Sequence, residues 1–268
     1  MNKKVVLITG VSSGFGKICA EFLNQRGYKV YGTSRNQTTK IKSYKMIQMD
    51  VNDDTSIKKG VRYILDKEGR LDIVVNNAGV GVAGSIEDTS INEIKLQFET
   101  NFFGVFRVCN EVLPIMRTQR SGYIINISSI AGLIGVPFQG AYSASKFALE
   151  GLTEALRMEV KPFGIHIVLI EPGDFSTDFT IHRIKTKKSQ IDSIYSDRFK
   201  RALHVIEEDE RNGSKPGKVA ELVDYIINHP SPRPRYMVGP ILQQIAVHLR
   251  KFIPSQIFEW IIMKSYKI

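Results

Sequence analysis

Cysteines and long apolar runs are both scarce in this sequence. Its 268 residues include two cysteines, Cys19 and Cys109, each within an apolar, helix-like stretch, so we expect no disulfide framework and a reducing compartment. The early apolar run, Val5-Val6-Leu7-Ile8, is too short for a signal peptide and stops at Thr9-Gly10, which favours a buried strand. No apolar stretch is long enough to cross a bilayer. We therefore expect a cytoplasmic protein, with peripheral membrane association as the alternative.

Acidic residues are outnumbered by basic ones. The chain has 27 Asp and Glu against 37 Lys and Arg, for a formal net charge of +10. A basic surface attracts phosphate-bearing ligands, nucleic acid or anionic lipid, although a solvated basic surface is its ordinary interpretation. No array of aromatic and basic residues suggests base stacking. We therefore predict no nucleic-acid partner, and we predict no bound metal.

Short runs rich in Val and Ile alternate with helical patterns along the chain. The runs that we interpret as strands are residues 5–9, 28–33, 44–49, 72–76, 123–128, 166–171 and 235–238. The segments that we interpret as helices are residues 14–26, 57–66, 91–113, 142–162 and 219–228, the third ending before Pro114. This alternation predicts one α/β domain over residues 1–268, a doubly wound Rossmann fold whose parallel sheet carries helices on both faces.

Two segments lie outside that alternation. Residues 174–213 form a long link between a predicted strand and the next predicted helix, and we expect it to be a mobile substrate lid. Residues 240–268 form an amphipathic tail in which apolar residues recur at helical spacing beside basic ones. The tail either packs on the protein, the commoner role of such helices, or lies at a membrane interface.

The first predicted strand is followed by a glycine-rich turn that opens a helix. Its sequence is Thr9-Gly10-Val11-Ser12-Ser13-Gly14-Phe15-Gly16. Glycines allow a tight turn, and the backbone N–H groups of a helix N-terminus attract a pyrophosphate. Ordinary turns use glycine too, but the position after a strand favours a dinucleotide loop. The candidate cofactor-binding residues here are Gly10, Ser12, Ser13, Gly14, Phe15 and Gly16.

The end of the second predicted strand indicates which dinucleotide is bound. An acidic side chain there binds the 2′-hydroxyl of NAD(H), but this strand ends in Ser34-Arg35-Asn36. Arg35 can grip a 2′-phosphate with its planar guanidinium, and Ser34 can add a hydrogen bond. The alternative is a surface arginine in a turn. The sequence therefore predicts that NADP(H) is preferred over NAD(H).

The run Tyr142-Ser143-Ala144-Ser145-Lys146 places a tyrosine and a lysine on one helix face. A tyrosine hydroxyl has a pKa of about 10, and a lysine cation together with an oxidised nicotinamide would lower it. Tyr142 could then exchange a proton with a substrate oxygen while a hydride moves. The spacing alone is common, because Tyr63 and Lys67 share it, and we interpret that pair as surface or helix packing.

In order, spacing and strand context, these motifs resemble the short-chain dehydrogenase/reductase family, over about residues 3–180. The resemblance implies a seven-stranded parallel sheet in the order 3-2-1-4-5-6-7, and dimers or tetramers. It implies that Ser129, thirteen residues before Tyr142, donates to the developing alkoxide. It also implies that Asn101 holds a water that links to Lys146.

The same resemblance implies further cofactor contacts. They are Asp50 and Val51 at the adenine, Asn77, Ala78 and Gly79 at the edge of the pocket, and Pro172, Gly173 and Thr177 at the nicotinamide, with Tyr142 and Lys146 serving both binding and catalysis. Ser128 is the alternative catalytic serine, although a strand-end hydrogen bond is its more ordinary role. The intact set of Asn101, Ser129, Tyr142 and Lys146 favours an enzyme over a non-catalytic dinucleotide-binding regulator.

The substrate is predicted only as a class. Apolar candidates for the pocket lining are Val80, Val82, Ile130, Val136, Phe138, Phe175 and Phe179. They favour a lipophilic carbonyl compound or alcohol, and ordinary packing is the alternative at each position. The long link and the tail loosely resemble hydroxysteroid dehydrogenases and acyl-dihydroxyacetone-phosphate reductases.

Overall fold

The structure, a computed structural model, describes residues 3–36, 43–191 and 193–268. The strands in those ranges are β1 (Val5–Ile8), β2 (Lys29–Ser34), β3 (Lys45–Gln48), β4 (Ile73–Asn76), β5 (Val82–Ala83), β6 (Gly122–Ile127), β7 (Ile165–Pro172), β8 (Ile184–Lys185) and β9 (Arg235–Val238). Seven of these strands form one parallel sheet in the order β3-β2-β1-β4-β6-β7-β9, and β5 pairs separately with β8. The predicted α/β fold and its strand order are confirmed.

Two apolar layers hold the helices on the sheet. The helices in the described ranges are α1 (Gly14–Gln25), α2 (Asp54–Glu68), α3 (Ile91–Phe98), α4 (Gly104–Gln119), α5 (Gly140–Val160), α6 (Lys187–Ile191), α7 (Ser196–Arg211), α8 (Gly217–Asn228), α9 (Ile241–Leu249) and α10 (Ser255–Ser265). One layer buries side chains of α2, α4 and α5, and the other those of α1 and α8. Because both faces are covered, β1 and β4 are buried along their whole length. Cys19 and Cys109 are free and buried in these layers.

Local capping sets the bounds of α2. The carboxylate of Asp53 accepts hydrogen bonds from the backbone N–H groups of Thr55 at 2.8 Å and Ser56 at 3.2 Å. Gly69 ends the helix in the left-handed conformation, with φ 68°. The predicted start at residue 57 was wrong, because it followed the apolar spacing and overlooked this aspartate cap.

The structure divides the predicted helix 91–113. α3 leads into a π-helical turn, Glu99–Phe103, and then into α4, which continues through Pro114. Proline has no N–H and normally ends or kinks a helix. Val112 and Met116, on either side of it, are fully buried in the layer under α4, so tertiary packing overrides the local preference. The predicted end before Pro114 was wrong.

Residues 174–213 contain more regular structure than the sequence analysis predicted. β8, α6 and α7 all lie within this link, and β8 pairs in parallel with β5. α7 buries Phe199, Leu203 and Ile206, whose helical spacing was visible in the sequence. Since β5 follows the carboxyl end of β4, this pairing holds the link at that edge of the sheet.

The tail forms α9 and α10. Val247 and Phe258 are buried against Ile134, and the guanidinium of Arg250 donates a hydrogen bond to the carbonyl of Leu133. The tail therefore packs on the protein through one side, as the first alternative predicted. Among the described residues, no helix combines the length and the apolar character that spanning a bilayer requires.

Candidate active site

The glycine-rich turn after β1 has a backbone that few other residues could adopt. Gly10 and Gly14 have φ values of 71° and 55°, in the left-handed region that favours glycine. A Cβ atom on Gly16 would overlap the side-chain amide of Asn77 and the carbonyl of Gly10. These three glycines therefore keep the turn close to the ends of both β1 and β4.

Side-chain hydrogen bonds lock this turn against β4. The hydroxyl of Thr9 accepts from the backbone N–H groups of Asn77 and Ala78, both at 3.0 Å. The amide of Asn77 donates to the carbonyls of Thr9 and Gly10, both at 2.9 Å. The structure thus gives Asn77 a part in shaping the loop. The sequence analysis did not single out Thr9, and its position at the strand end was the only available signal.

The N-terminus of α1 has the properties of a phosphate site. Ser13 is the N-cap residue, but its side chain makes no capping hydrogen bond, which leaves its hydroxyl and the first N–H groups of α1 available to an anion. Thr177 lies across from it, with its Cβ 3.8 Å from where a Cβ of Gly14 would be. Ser12, which precedes Ser13 in the turn, is exposed. The glycine turn and the segment after β7 therefore face each other, as a bound dinucleotide requires.

Arg35 and Ser34 lie beside this turn, because the N–H of Val11 donates to the carbonyl of Thr33 at 2.9 Å. The side chain of Arg35 is exposed. The hydroxyl of Ser34 donates to the carbonyl of Asn36. The geometry brings an arginine, and no acidic side chain of β2, beside the glycine turn.

The adenine candidates lie after β3. The carboxylate of Asp50 accepts from the N–H of Asn52 at 3.0 Å. The side chain of Val51 is buried against Gly104, so Val51 can offer only its backbone to a ligand. Phe15, also predicted at the cofactor, packs edge-on against Phe175 with ring centroids 5.1 Å apart.

Tyr142, Lys146 and Ser129 meet between α5 and the end of β6. The ammonium of Lys146 lies 5.8 Å from the ring centroid of Tyr142 and donates to the carbonyl of Ile127 at 2.8 Å. The hydroxyl of Ser129 donates to the carbonyl of Pro172 at 3.4 Å and lies close enough to Tyr142 to lower its pKa, whereas Ser128 is buried and lies near Glu150. The structure thus places Ser129, and not Ser128, beside the tyrosine.

Burial dominates the protonation equilibria of this group. It raises the pKa of Tyr142 to about 12, which the nearby hydroxyl of Ser129 opposes. It lowers the pKa of Lys146 to about 8. The described groups therefore keep Tyr142 a neutral phenol at neutral pH. The sequence analysis predicts that Lys146 and an oxidised nicotinamide together lower the pKa of Tyr142. Lys146 without the nicotinamide does not lower it below its usual value.

Asn101 lies in the π-helical turn Glu99–Phe103, a type of irregularity that is frequent at functional sites. Its side chain accepts from the N–H of Val80 at 2.9 Å and donates to the carbonyl of Val80 at 3.0 Å. Gln97, one turn earlier, also donates to that carbonyl, at 2.8 Å. Both side chains lie 3.4 Å from the hydroxyl of Ser145. Asn101 therefore joins the segment after β4 to α5, and its proton-relay role stays a prediction.

An apolar wall closes one side of the tyrosine. The ring of Phe179 lies 5.8 Å from that of Tyr142, and a Cβ on Gly81 would come within 2.7 Å of it. The guanidinium of Arg183 lies 5.8 Å from the centroid of Phe179 and pairs with Glu210 in the interior. Phe175, predicted to line the pocket, instead belongs to the sheet core, where its contact with Phe15 explains its burial.

A family model described as short chain dehydrogenase matches residues 4–188. The chain belongs to the short-chain dehydrogenase/reductase family. It is an oxidoreductase of that family with a Rossmann nucleotide-binding fold.

Two relatives and two solved structures are similar to this chain over nearly its whole length. A 3-ketodihydrosphingosine reductase from Bacteroides thetaiotaomicron is 43% identical over all of both chains. An uncharacterized oxidoreductase, YusZ, from Bacillus subtilis is 35% identical over 99% of each chain. A short-chain dehydrogenase structure from Streptomyces avermitilis is 30% identical, with a TM-score of 0.79 over 94% of this chain and 96% of its own. A Burkholderia phymatum structure in complex with NAD is 26% identical, with a TM-score of 0.81 over 94% of each chain.

Tyr142→Phe is expected to lower turnover about 10²- to 10⁴-fold, the range for losing a general acid–base. The ring and its packing on Phe179 remain, so affinity for the dinucleotide should stay near that of the unchanged protein. NADPH oxidation with a carbonyl substrate and NADPH fluorescence titration measure the two quantities. Tyr63→Phe is the matched control, because Tyr63 shares the Tyr-x-x-x-Lys spacing but is 45% exposed on α2. Near-normal turnover of Tyr142→Phe would exclude Tyr142 as the proton carrier.

Proposed function

We propose that this short-chain dehydrogenase is an NADP(H)-dependent reductase of lipophilic ketones. The observation that carries the proposal is the meeting of Tyr142, Ser129 and Lys146 between α5 and the end of β6, with the ammonium of Lys146 5.8 Å from the centroid of the tyrosine ring. Ser129 donates to the carbonyl of Pro172 at 3.4 Å, in the segment that continues to Thr177 beside the glycine turn. A proton donor beside a dinucleotide cleft is the arrangement that carbonyl reduction needs.

The residues of the chain divide the reaction between them. A bound dinucleotide supplies the hydride for the carbonyl carbon. Tyr142 donates its proton to the carbonyl oxygen, and Ser129 donates a hydrogen bond to the same oxygen as negative charge develops there. The cation of Lys146 favours the phenolate that remains. Because burial keeps Tyr142 protonated at neutral pH, the tyrosine is available to donate this proton.

The preference for NADP(H) rests on Arg35. Its exposed side chain follows β2, at the place where a carboxylate would accept from the ribose of NAD(H) and repel the 2′-phosphate of NADP(H). Guanidinium groups bind phosphate through paired hydrogen bonds.

Arg35→Ala is expected to weaken NADPH binding about 10- to 100-fold, the range for a charge-assisted hydrogen bond. Binding of NADH should change little, because it has no 2′-phosphate. Fluorescence titrations with both nucleotides give the two dissociation constants. Arg26→Ala serves as the control for lost surface charge, because Arg26 lies at the C-terminal end of α1, away from the glycine turn. Equal losses for NADPH and NADH in Arg35→Ala would mean that Arg35 has another role.

We propose that the substrate is a long-chain ketone with an amino group next to the carbonyl. Such a compound is the substrate in the name of the relative that is 43% identical over the whole of both chains. The aromatic wall formed by Phe179 suits an alkyl chain. Asp174 suits the amine, because its charge reaches the hydroxyl of Tyr142 and, within the described ranges, it has no ion-pair partner, whereas Glu210 is paired with Arg183.

Gln243 positions Asp174. The N–H of Asp174 donates to the side-chain oxygen of Gln243 at 2.9 Å, and the amide of Gln243 donates to the carboxylate. Burial raises the pKa of Asp174 to about 6, so the carboxylate is charged above pH 6. Its attraction for an ammonium group should fade as the pH falls through that value.

Asp174→Asn is expected to raise KM for a long-chain 2-amino ketone about 10- to 100-fold. KM for the same ketone without the amine should not change, since the substitution keeps the size of the side chain. Asp197→Asn is the control, because Asp197 is an exposed aspartate in the first turn of α7, the helix that also carries Glu210. If Asp174→Asn affects both ketones equally, the aspartate does not recognise the amine.

We also propose that the tail contacts an anionic membrane surface. Beyond the side that packs on the protein, α9, α10 and their link expose Ile241, Leu242, Ile245, Leu249, Phe252, Ile257, Trp260, Ile261 and Met263. The basic residues Arg250, Lys251 and Lys264 are exposed among them. An apolar face with basic neighbours and a tryptophan is typical of interfacial helices, and the net charge of +10 favours anionic lipid.

Replacing Leu242 and Phe252 together by serine should abolish co-sedimentation with anionic vesicles. These side chains are 77% and 83% exposed, so folding and reduction of a short soluble ketone should persist. The control replaces Ile181 and Ile194, which are 77% and 87% exposed outside the tail, by serine. Failure of the unchanged protein to bind anionic vesicles at low salt would refute the membrane contact.

Two further proposals concern assembly and access. The π-helical turn, α4 and α5 expose Phe103, Phe106 and Phe147, at 44%, 43% and 40%, and we propose that a second copy covers them in a homodimer or homotetramer. We propose that residues 174–213 act as a lid over the substrate, because Phe179 within them packs on Tyr142.

A further inference from the structure

Two glutamates are buried behind the candidate site with one arginine between them. Glu150 on α5 is 5% exposed and Glu171 on β7 is 2% exposed. Arg235 on β9 donates to Glu171 at 2.9 Å and also to Glu150. Glu154, one turn further along α5, lies 3.3 Å from the same guanidinium but is 61% exposed. One arginine thus serves two buried carboxyl groups, and the chemistry described above uses neither of them.

Glu150 lies one helical turn after Lys146 on the same face of α5. Both residues surround Gly132, where a Cβ would be 3.1 Å from Cγ of Glu150 and 3.2 Å from the carbonyl carbon of Lys146. The hydroxyl of Ser128 would be 3.0 Å from that Cβ. Gly132 therefore leaves room for the side chain of Glu150 to pack beside the backbone of Lys146 and the hydroxyl of Ser128.

Lys146 needs a counter-charge, because burial disfavours its ammonium form. Its hydrogen bond to the carbonyl of Ile127 involves a neutral acceptor. In the described part of the chain, no carboxylate reaches ion-pair distance of its nitrogen, and Glu150 is the acid whose charge raises its pKa. A charge one turn away acts strongly through such a low-dielectric interior.

We propose that Glu150 is a positioning residue that keeps Lys146 cationic, and thereby keeps Tyr142 active as a proton donor, at alkaline pH. The activity part of this inference rests on the proposed reductase function. The charged groups around Glu150 are Lys146, Glu154 and Arg157 on α5, Glu171 on β7 and Arg235 on β9, with the hydroxyl of Ser128 at the end of β6.

The pH range of the effect follows from the two pKa values. Burial and the charge of Glu171 raise the pKa of Glu150 to about 7, so its charge is present above that value and is lost below it. Lys146, with a pKa of about 8, is already protonated where Glu150 becomes neutral. Glu150 therefore matters on the alkaline side, where it delays the loss of the lysine proton.

Glu150→Gln should shift the alkaline limb of the kcat profile for ketone reduction to lower pH by about one unit. The acid limb should not move. Glu154→Gln is the matched control, because Glu154 also contacts Arg235 but is exposed and lies a turn further from Lys146. An unmoved alkaline limb in folded Glu150→Gln, or an equal shift in Glu154→Gln, would overturn the proposal.

A second variant separates electrostatics from structural damage. Glu171→Gln removes a carboxylate from the same buried cluster, but it leaves Glu150 charged to lower pH, since Glu171 raises the pKa of Glu150. Its alkaline limb should stay in place. If Glu171→Gln shifts the limb as Glu150→Gln does, the cluster supports only the fold and the proposal is wrong.

The titration of Lys146 can also be measured by NMR, independently of enzyme activity. The ¹³Cε chemical shift of Lys146, assigned by its loss in Lys146→Met, should titrate at lower pH in Glu150→Gln than in the unchanged protein. An unchanged titration would refute the role of Glu150. A shifted titration in a protein that reduces no ketone would instead sustain that role and refute the proposed reductase function.

Discussion

The geometry of the candidate site depends on a row of buried hydrogen bonds that joins β4, β6 and α5. Asn76 donates to the side-chain oxygen of Asn126 at 2.9 Å, and Asn126 donates to the hydroxyl of Thr153 at 2.9 Å. None of the three side chains is more than 2% exposed. An unpartnered buried amide costs about 1–3 kcal/mol, so sliding α5 along the sheet would break the bond to Thr153 and leave the amide of Asn126 without that partner. The row therefore fixes Tyr142 relative to Ser129.

Side-chain hydrogen bonds between strand ends also hold the glycine turn. Asn77 and Ala78 donate four hydrogen bonds to Thr9 and Gly10 between the ends of β4 and β1, so side chains at the ends of the strands hold the backbone of the glycine turn. The two halves of the site, the cofactor turn and the tyrosine group, are thus fixed to one rigid sheet edge. The proposed substrate contacts lie in other segments, residues 174–213 and the tail.

Sequence patterns predicted the strands and the catalytic candidates, because both depend on residues that are close together in the chain. Doubly covered strands appear as continuous Val and Ile runs, and the tyrosine, lysine and serine follow a fixed spacing. The parts that were missed depend on partners far away in the chain. Pro114 stays helical because of packing on the sheet, and Glu150 gains its meaning from Arg235, 85 residues later. No local pattern carries that information, although the helical spacing in α7 did indicate an element that we overlooked.

The tail connects the outer apolar face to the tyrosine through Gln243 on α9. Gln243 exchanges two hydrogen bonds with Asp174, and a Cβ on Gly173 would overlap its side-chain oxygen. α9 therefore cannot move away without leaving the N–H and the carboxylate of Asp174 to find other partners, at a cost similar to that of any part-buried polar group. A membrane contact that displaced α9 would change the charge environment of Tyr142. The proposed membrane contact and the proposed substrate contact of Asp174 would therefore be coupled through one helix, α9.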